Sequence, residues 1–227
     1  DGAAGDRFGN SVNLNNSLLA IGSRGVDIGD NNDTGATYLY RVENNGSVSF
    51  LQKLIPPDAN GSFGSSLSQY GNLLAVGAES AKAVYLYRVE SNGTTTFLQK
   101  VISPAAPAND RFGFSVSQTT DLLAVGATSS DSNGMTHAGA VYIFRVESNN
   151  TVTFLDKVIA TSPATQDNFG WSISLSQDQL AVGTYPSAEA VYLFHMESNG
   201  TATFVQKVIA PDPGINDSFG ASVSQMG

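Results

Sequence analysis

The chain contains no cysteine, which removes disulfides, zinc–thiolate centres and thiol catalysis together. Histidine is nearly absent too, at His137 and His195, and there is one tryptophan, Trp171. Bases are scarce: 11 against 20 acids, for a net charge of -9. They are spread along the repeats rather than clustered, whereas nucleic acid requires a basic patch, so nucleic acid is not expected as a partner. Mild acidity reads as solubility. No apolar run is long enough to span a bilayer, and helical periodicity is missing throughout. No signal peptide is visible; the chain opens at Asp1 inside a repeat pattern, so any targeting segment is expected upstream.

What the chain does have is repetition. Phe-Gly dipeptides stand at Phe8, Phe63, Phe112, Phe169 and Phe219, at spacings of 55, 49, 57 and 50 residues. Each opens an Asp/Asn-x-Phe-Gly-x-Ser run or a close variant. After a short polar turn comes an apolar run such as Leu122-Leu123-Ala124-Val125-Gly126-Ala127. A fixed period near 50 residues marks a repeat architecture.

Each repeat reads as four strands. In the first these are 8–13, 18–22, 37–43 and 48–55; in the second 63–68, 73–78, 83–90 and 95–102. The third has 112–117, 122–127, 140–147 and 152–159, and the fourth 169–174, 179–184, 190–197 and 202–209. Period-two alternation is clearest where Tyr38 and Tyr40 share one face and Leu39 and Arg41 the other. Four-stranded units in tandem are expected to be β-propeller blades, here over 1–55, 56–103, 104–160 and 161–210. Residues 211–227 would supply the first strand of a fifth blade, all within one all-β propeller domain. Leu74, Val76, Tyr85 and Tyr87 are expected in the core between blades, with Phe63 and its equivalents wedged there. The glycine after each Phe suits a special backbone angle or a close approach.

These motifs resemble the FG-GAP repeat, the unit of the propeller in integrin α subunits and in many extracellular proteins. The second half is kept as Gly22-Ser23, Gly77-Ala78, Gly126-Ala127 and Gly183-Thr184, without the proline. The resemblance implies a propeller, usually of seven blades, used for binding outside the cell. Calcium-binding members carry an Asp-rich loop between the two halves. Here that segment is a short turn, at 13–17, 69–72, 118–121 and 175–178, so those calcium sites do not carry over. Four repeats and a strand fall short of seven blades. Either the sequence is part of a longer chain or several chains complete the assembly.

The connection between strands two and three alternates in length, and paired blades form a double repeat. Insertions of this kind map to one face, often the binding face; duplication of a two-blade unit would leave the same trace. The first long loop holds Asp30-x-Asn32-x-Thr34-Gly35, a degraded oxygen-ligand pattern that makes Asp30, Asn32 and Thr34 a calcium candidate. The competing reading is a solvated turn rich in Asx residues. The second long loop has Asp131-Ser132-Asn133-Gly134 and lacks the leading acid.

Asn-x-Ser/Thr sequons occur at Asn15, Asn32, Asn45, Asn60, Asn92, Asn149, Asn199 and Asn216. Those at Asn45, Asn92, Asn149 and Asn199 fall in the hairpin between strands three and four. Asn-Gly is also what a two-residue hairpin requires, yet the sequon at Asn149 persists where Gly gives way to Asn150. Glycans on these sites would line one side of the blades and mean secretion.

Catalysis has little support. His137 lies in a long loop, and His195 occupies the slot held by Arg41, Arg88 and Arg145. No Gly-x-Ser-x-Gly elbow, His-Glu-x-x-His or phosphate loop occurs. The repeated Lys53, Lys100, Lys157 and Lys207 read as protection of an edge strand. Trp171 reads as core packing or as a platform for a sugar. The expected function is therefore a non-enzymatic extracellular propeller that binds a protein or glycan ligand. A structural subunit of a glycosylated filament or coat, assembled from copies of itself, is one alternative. An accessory propeller of a secreted hydrolase is the other.

Overall fold

The computed structural model describes residues 2–58, 61–104, 110–212 and 217–225, among which no helix forms. The sequons at Asn60 and Asn216 lie outside the described residues. The first blade is β1 (Phe8–Asn15), β2 (Leu18–Ser23), β3 (Ala36–Val42) and β4 (Val48–Leu54). The second is β5 (Phe63–Tyr70), β6 (Leu73–Ala78), β7 (Ala83–Val89) and β8 (Thr95–Ile102). The third is β9 (Phe112–Gln118), β10 (Leu122–Ala127), β11 (Ala140–Val146) and β12 (Val152–Val158). The fourth is β13 (Ser172–Ser176), β14 (Gln179–Gly183), β15 (Ala190–Met196) and β16 (Ala202–Ile209). Each blade is an antiparallel sheet whose strands lie side by side in chain order. This is the expected all-β propeller architecture of four-stranded blades. The chain forms two compact units, Asp1–Ile102 and Ser103–Gly227, so each holds one double repeat.

In the first unit, Leu18, Ala20, Leu39 and Leu54 of the first blade bury themselves against Phe63, Leu74, Val76, Tyr85 and Tyr87 of the second. The expected core residues between blades are thus in place. Phe63 is fully buried, as are Phe112 and Phe169, while Phe8 is 54% exposed. Phe63 meets Tyr85 and Tyr87 edge-on at 5.3 and 6.1 Å. Phe169 repeats this with Tyr192 and Phe194 in the second unit. Burial at this junction holds Tyr87's hydroxyl well above the usual phenol range, with a smaller push from Asp58.

The Phe-Gly turn is a bulge. Phe63 pairs with Ala78 and the register resumes at Ser66 with Gly77, leaving Gly64 and Ser65 to loop out. Gly64 has φ +85°, and its carbonyl points back at the preceding blade. There it accepts the hydroxyl of Ser11 at 2.7 Å, and Ser115 does the same to Gly170 in the second unit. The serine of Phe-Gly-x-Ser is therefore the tie between consecutive blades.

The expected strands differ most in the fourth blade and after it. The fourth blade's first strand begins at Ser172, not Phe169, because the N–H groups of Gly170 and Trp171 both converge on the carbonyl of Gly183. β14 in turn stops at Gly183, since the N–H of Thr184 turns to Ala190. Residues 217–225 form no strand. A strand needs a ladder partner, and the segment is instead held from behind: Ser172 donates its hydroxyl to Gly220, and Gln225 bonds to Ser174.

A second bulge recurs between strands three and four, for instance between Leu39 and Tyr40 of β3, which pair with Gln52 and Phe50. It turns Leu51 out of the ladder and onto Gly93 of the next blade's hairpin. Leu155 meets Gly200 in the same way.

Candidate functional site

The strand order puts the turns between strands one and two, and the hairpins between three and four, at one end of each blade. The connections between strands two and three, and from four to the next blade, lie at the other. These are the turn end and the loop end.

At the loop end the two long connections share one conformation. Ile28 and Asn31 exchange backbone bonds, as do Ser132 and Met135. Asp27 Oδ1 accepts from the N–H of Asp33, and Asp131 Oδ1 from that of His137. Both of those donors have positive φ. The carboxylate common to the two loops is thus a backbone cap at Asp27 and Asp131, not a counterpart of Asp30. Thr34 is buried and donates its hydroxyl to the carbonyl of Asn31, whereas Asp30 and Asn32 are exposed. The calcium candidate is thereby divided between the inside and outside of its loop. Among the described residues, no three His, Cys, Asp or Glu gather in a group that could hold a metal ion.

In the second unit the loop end carries an aromatic ladder. Trp171 stands 4.7 Å from Phe114 and 4.9 Å from Tyr185, all half-buried. Arg111 lies over the Phe114 ring at 4.8 Å. Phe114 and Trp171 hold the x position of Phe-Gly-x-Ser, in the looped-out segment, where the chain is lifted off the ladder and its side chain is free to reach sideways. The first unit has Asn10 and Ser65 there: Asn10 donates to the carbonyl of Ser65, and Arg24 pairs with Glu79. Comparing repeats flags Trp171 and Phe114. It misses Tyr185, whose slot two residues after the strand-two glycine elsewhere holds Arg24, Glu79 and Thr128, and Arg111, whose slot elsewhere holds Arg7, Ser62, Asn168 and Ser218.

At the turn end, Asn45, Asn92, Asn149 and Asn199 are all exposed. Each side-chain carbonyl accepts the N–H of the Ser or Thr two residues on. At Asn92, Asn149 and Asn199 it also accepts the hydroxyl. The amide nitrogens make no bond among the described residues. Asn15 differs: it is half-buried and its Nδ2 donates to the carbonyl of Gln69 at 2.8 Å. Asn32 is exposed at the loop end.

The lysines do lie on edge strands, but each is drawn over a tyrosine directly across the ladder. Lys53, Lys100, Lys157 and Lys207 stand 5.2–5.6 Å from the rings of Tyr38, Tyr85, Tyr142 and Tyr192. This cation–π geometry explains why lysine recurs at a fixed offset. His195 approaches Asp178 at 3.5 Å and is exposed, at the turn end, while His137 is at the loop end.

The model of the FG-GAP repeat family matches residues 1–40, 95–144 and 152–194, more than half of the chain. No curated protein matches. Among solved structures, a crystal structure from Bacteroides uniformis described as a 6-phosphogluconolactonase aligns with a TM-score of 0.62 at 11% identity. The alignment covers 89% of this chain and 57% of that one. The likeness is one of fold.

Proposed function

Since the chain belongs to the FG-GAP repeat family, we propose that it is a non-enzymatic recognition module working outside the cell, which grips a protein or glycan partner at the loop end of its blades. The observation that carries this reading is the ladder of Arg111, Phe114, Trp171 and Tyr185. Arginine, tryptophan and tyrosine are the residues that dominate binding energy at interfaces. Here they are partly open, packed against one another and so held in one conformation. Ordering them on contact therefore costs little entropy. The two histidines face opposite ends of the blades, which supports recognition over acid–base chemistry.

The turn end supports an extracellular setting. Its hairpin sequons are exposed, and their amide nitrogens are unengaged among the described residues, as modification requires. The experiment is to display the chain as a fluorescent multimer on cells and arrayed ectodomains, beside Trp171→Ala and Tyr185→Ala variants. Binding that both variants lose by about tenfold or more supports the reading; binding indifferent to both refutes it.

A further inference from the structure

A groove of about 460 Å³ opens between the first and second blades at their turn end. We propose that it is a saccharide-binding site, with Arg41 as its central donor. The inference rests on reading the chain as a recognition module but concerns a separate surface.

The second unit supplies the comparison. Ser17, Asn72, Asp121 and Asp178 occupy one position in the four blades: each carbonyl accepts a bond from the end of strand three, at Val42, Val89, Val146 and Met196. In the second unit both positions are acidic. Asp121 stands 3.9 Å from Arg145, whose guanidinium also donates to the carbonyl of Ser198. The corresponding groove is only about 150 Å³.

In the first unit both positions are neutral. Arg41 makes no ion pair among the described residues, and its groove is wide enough for a small ligand. Asn16 and Asn72 line it with amides that both donate and accept, and Glu90 adds a carboxylate. Gln69 donates to the carbonyl of Gly71, while its own Oε1 is buried without a donor among the described residues. Leu18, Leu51 and Val89 form an apolar floor. Donors and acceptors interleaved around an apolar patch match a pyranose, whose hydroxyls each give and take a bond and whose C–H face is apolar. An acidic peptide would leave the amide acceptors and Glu90 without use.

The test is an array of immobilised neutral and acidic saccharides probed with the whole chain, followed by calorimetric titration of the strongest binder. Ser17→Asp installs the carboxylate that the second unit already tolerates, so it should leave the thermal midpoint unchanged while engaging Arg41. Arg41→Gln removes the donor. Both should weaken the saccharide about tenfold or more, the scale of a lost hydrogen bond to a charged group, and Trp171→Ala should leave it unchanged. No saccharide binding, or binding equal in wild type, Ser17→Asp and Arg41→Gln, overturns the site. Neither result touches partner binding at the ladder, which is read with Trp171→Ala. Loss of saccharide in Trp171→Ala alone also overturns it and assigns the sugar to the ladder.

Discussion

The carbonyl oxygen of Gly64 lies 2.0 Å from where a Cβ on Gly22 would stand. No side chain fits there, because the obstacle is the backbone of the next blade. Gly22→Ala is therefore expected to push the first and second blades apart and to cost about 1–3 kcal/mol, the range for overpacking. The urea midpoint of the chain reads this directly. Ser11→Ala keeps the space but deletes the hydroxyl that Gly64 accepts, and should cost about 1 kcal/mol.

Phe169→Ala should be more damaging than Phe8→Ala. Phe169 is fully buried against Tyr192 and Phe194, whereas Phe8 is half exposed. A buried aromatic truncated to alanine costs about 3–5 kcal/mol, and an exposed one a fraction of that. Thermal midpoints of the two variants should separate in that order; equal losses would contradict the wedge role.

Asp167 gives a pH dependence with a definite sign. Burial raises its carboxyl pKa above the usual 3.8, partly offset by the N–H of Ala164 and the charge of Lys207. The folded state therefore holds the proton more tightly than the unfolded chain. Its contribution is fully favourable below the unfolded value and is lost as pH rises through the folded one. Relative to Asp167→Asn, the wild type should lose urea stability upward from about pH 4. Lys207→Gln, which removes a lowering influence, should carry that loss to higher pH. Wild-type stability that instead falls relative to Asp167→Asn as the pH is lowered would reverse the sign and refute it.

Glycan occupancy is expected at Asn45, Asn92, Asn149 and Asn199 when the chain is secreted from a eukaryotic cell, and not at Asn15. Peptide mass spectrometry after enzymatic deglycosylation in heavy-oxygen water marks each occupied site. Heavy label at Asn15 would mean that its bond to Gln69 is not formed when the sugar is added.

The blades were legible in the sequence because their determinants are local and repeated: Phe-Gly, the strand-two apolar run, the tyrosines of strand three. Periodicity showed which residues pair but not which stack. The lysine over each tyrosine depends on the cross-strand register, which the strand-four bulge sets and which composition does not display. The long loops show the same limit. In the sequence the second loop, at Asp131-Ser132-Asn133-Gly134, lacks the leading acid of the Asp30 pattern, and the two loops look unlike. Aligned by their backbone bonds, Asp27 and Asp131 are one capping residue. The aromatic ladder was half visible: Trp171 stood out among its equivalents, whereas the slot of Tyr185 holds charged or polar residues at Arg24, Glu79 and Thr128 and shows no aromatic pattern to follow.

The serine that reaches forward to the next glycine carbonyl recurs at Ser11, Ser115 and Ser172. Its last occurrence holds a segment that forms no strand. The junction is therefore specified by a few backbone atoms around Phe-Gly, before any sheet follows. A copied blade carries both halves of that junction, its own serine for the blade ahead and its own glycine for the blade behind. Growth by duplication then requires no new interface to be invented, and the pockets and ladders between blades are free to diverge, as the neutral and acidic grooves of the two units have done.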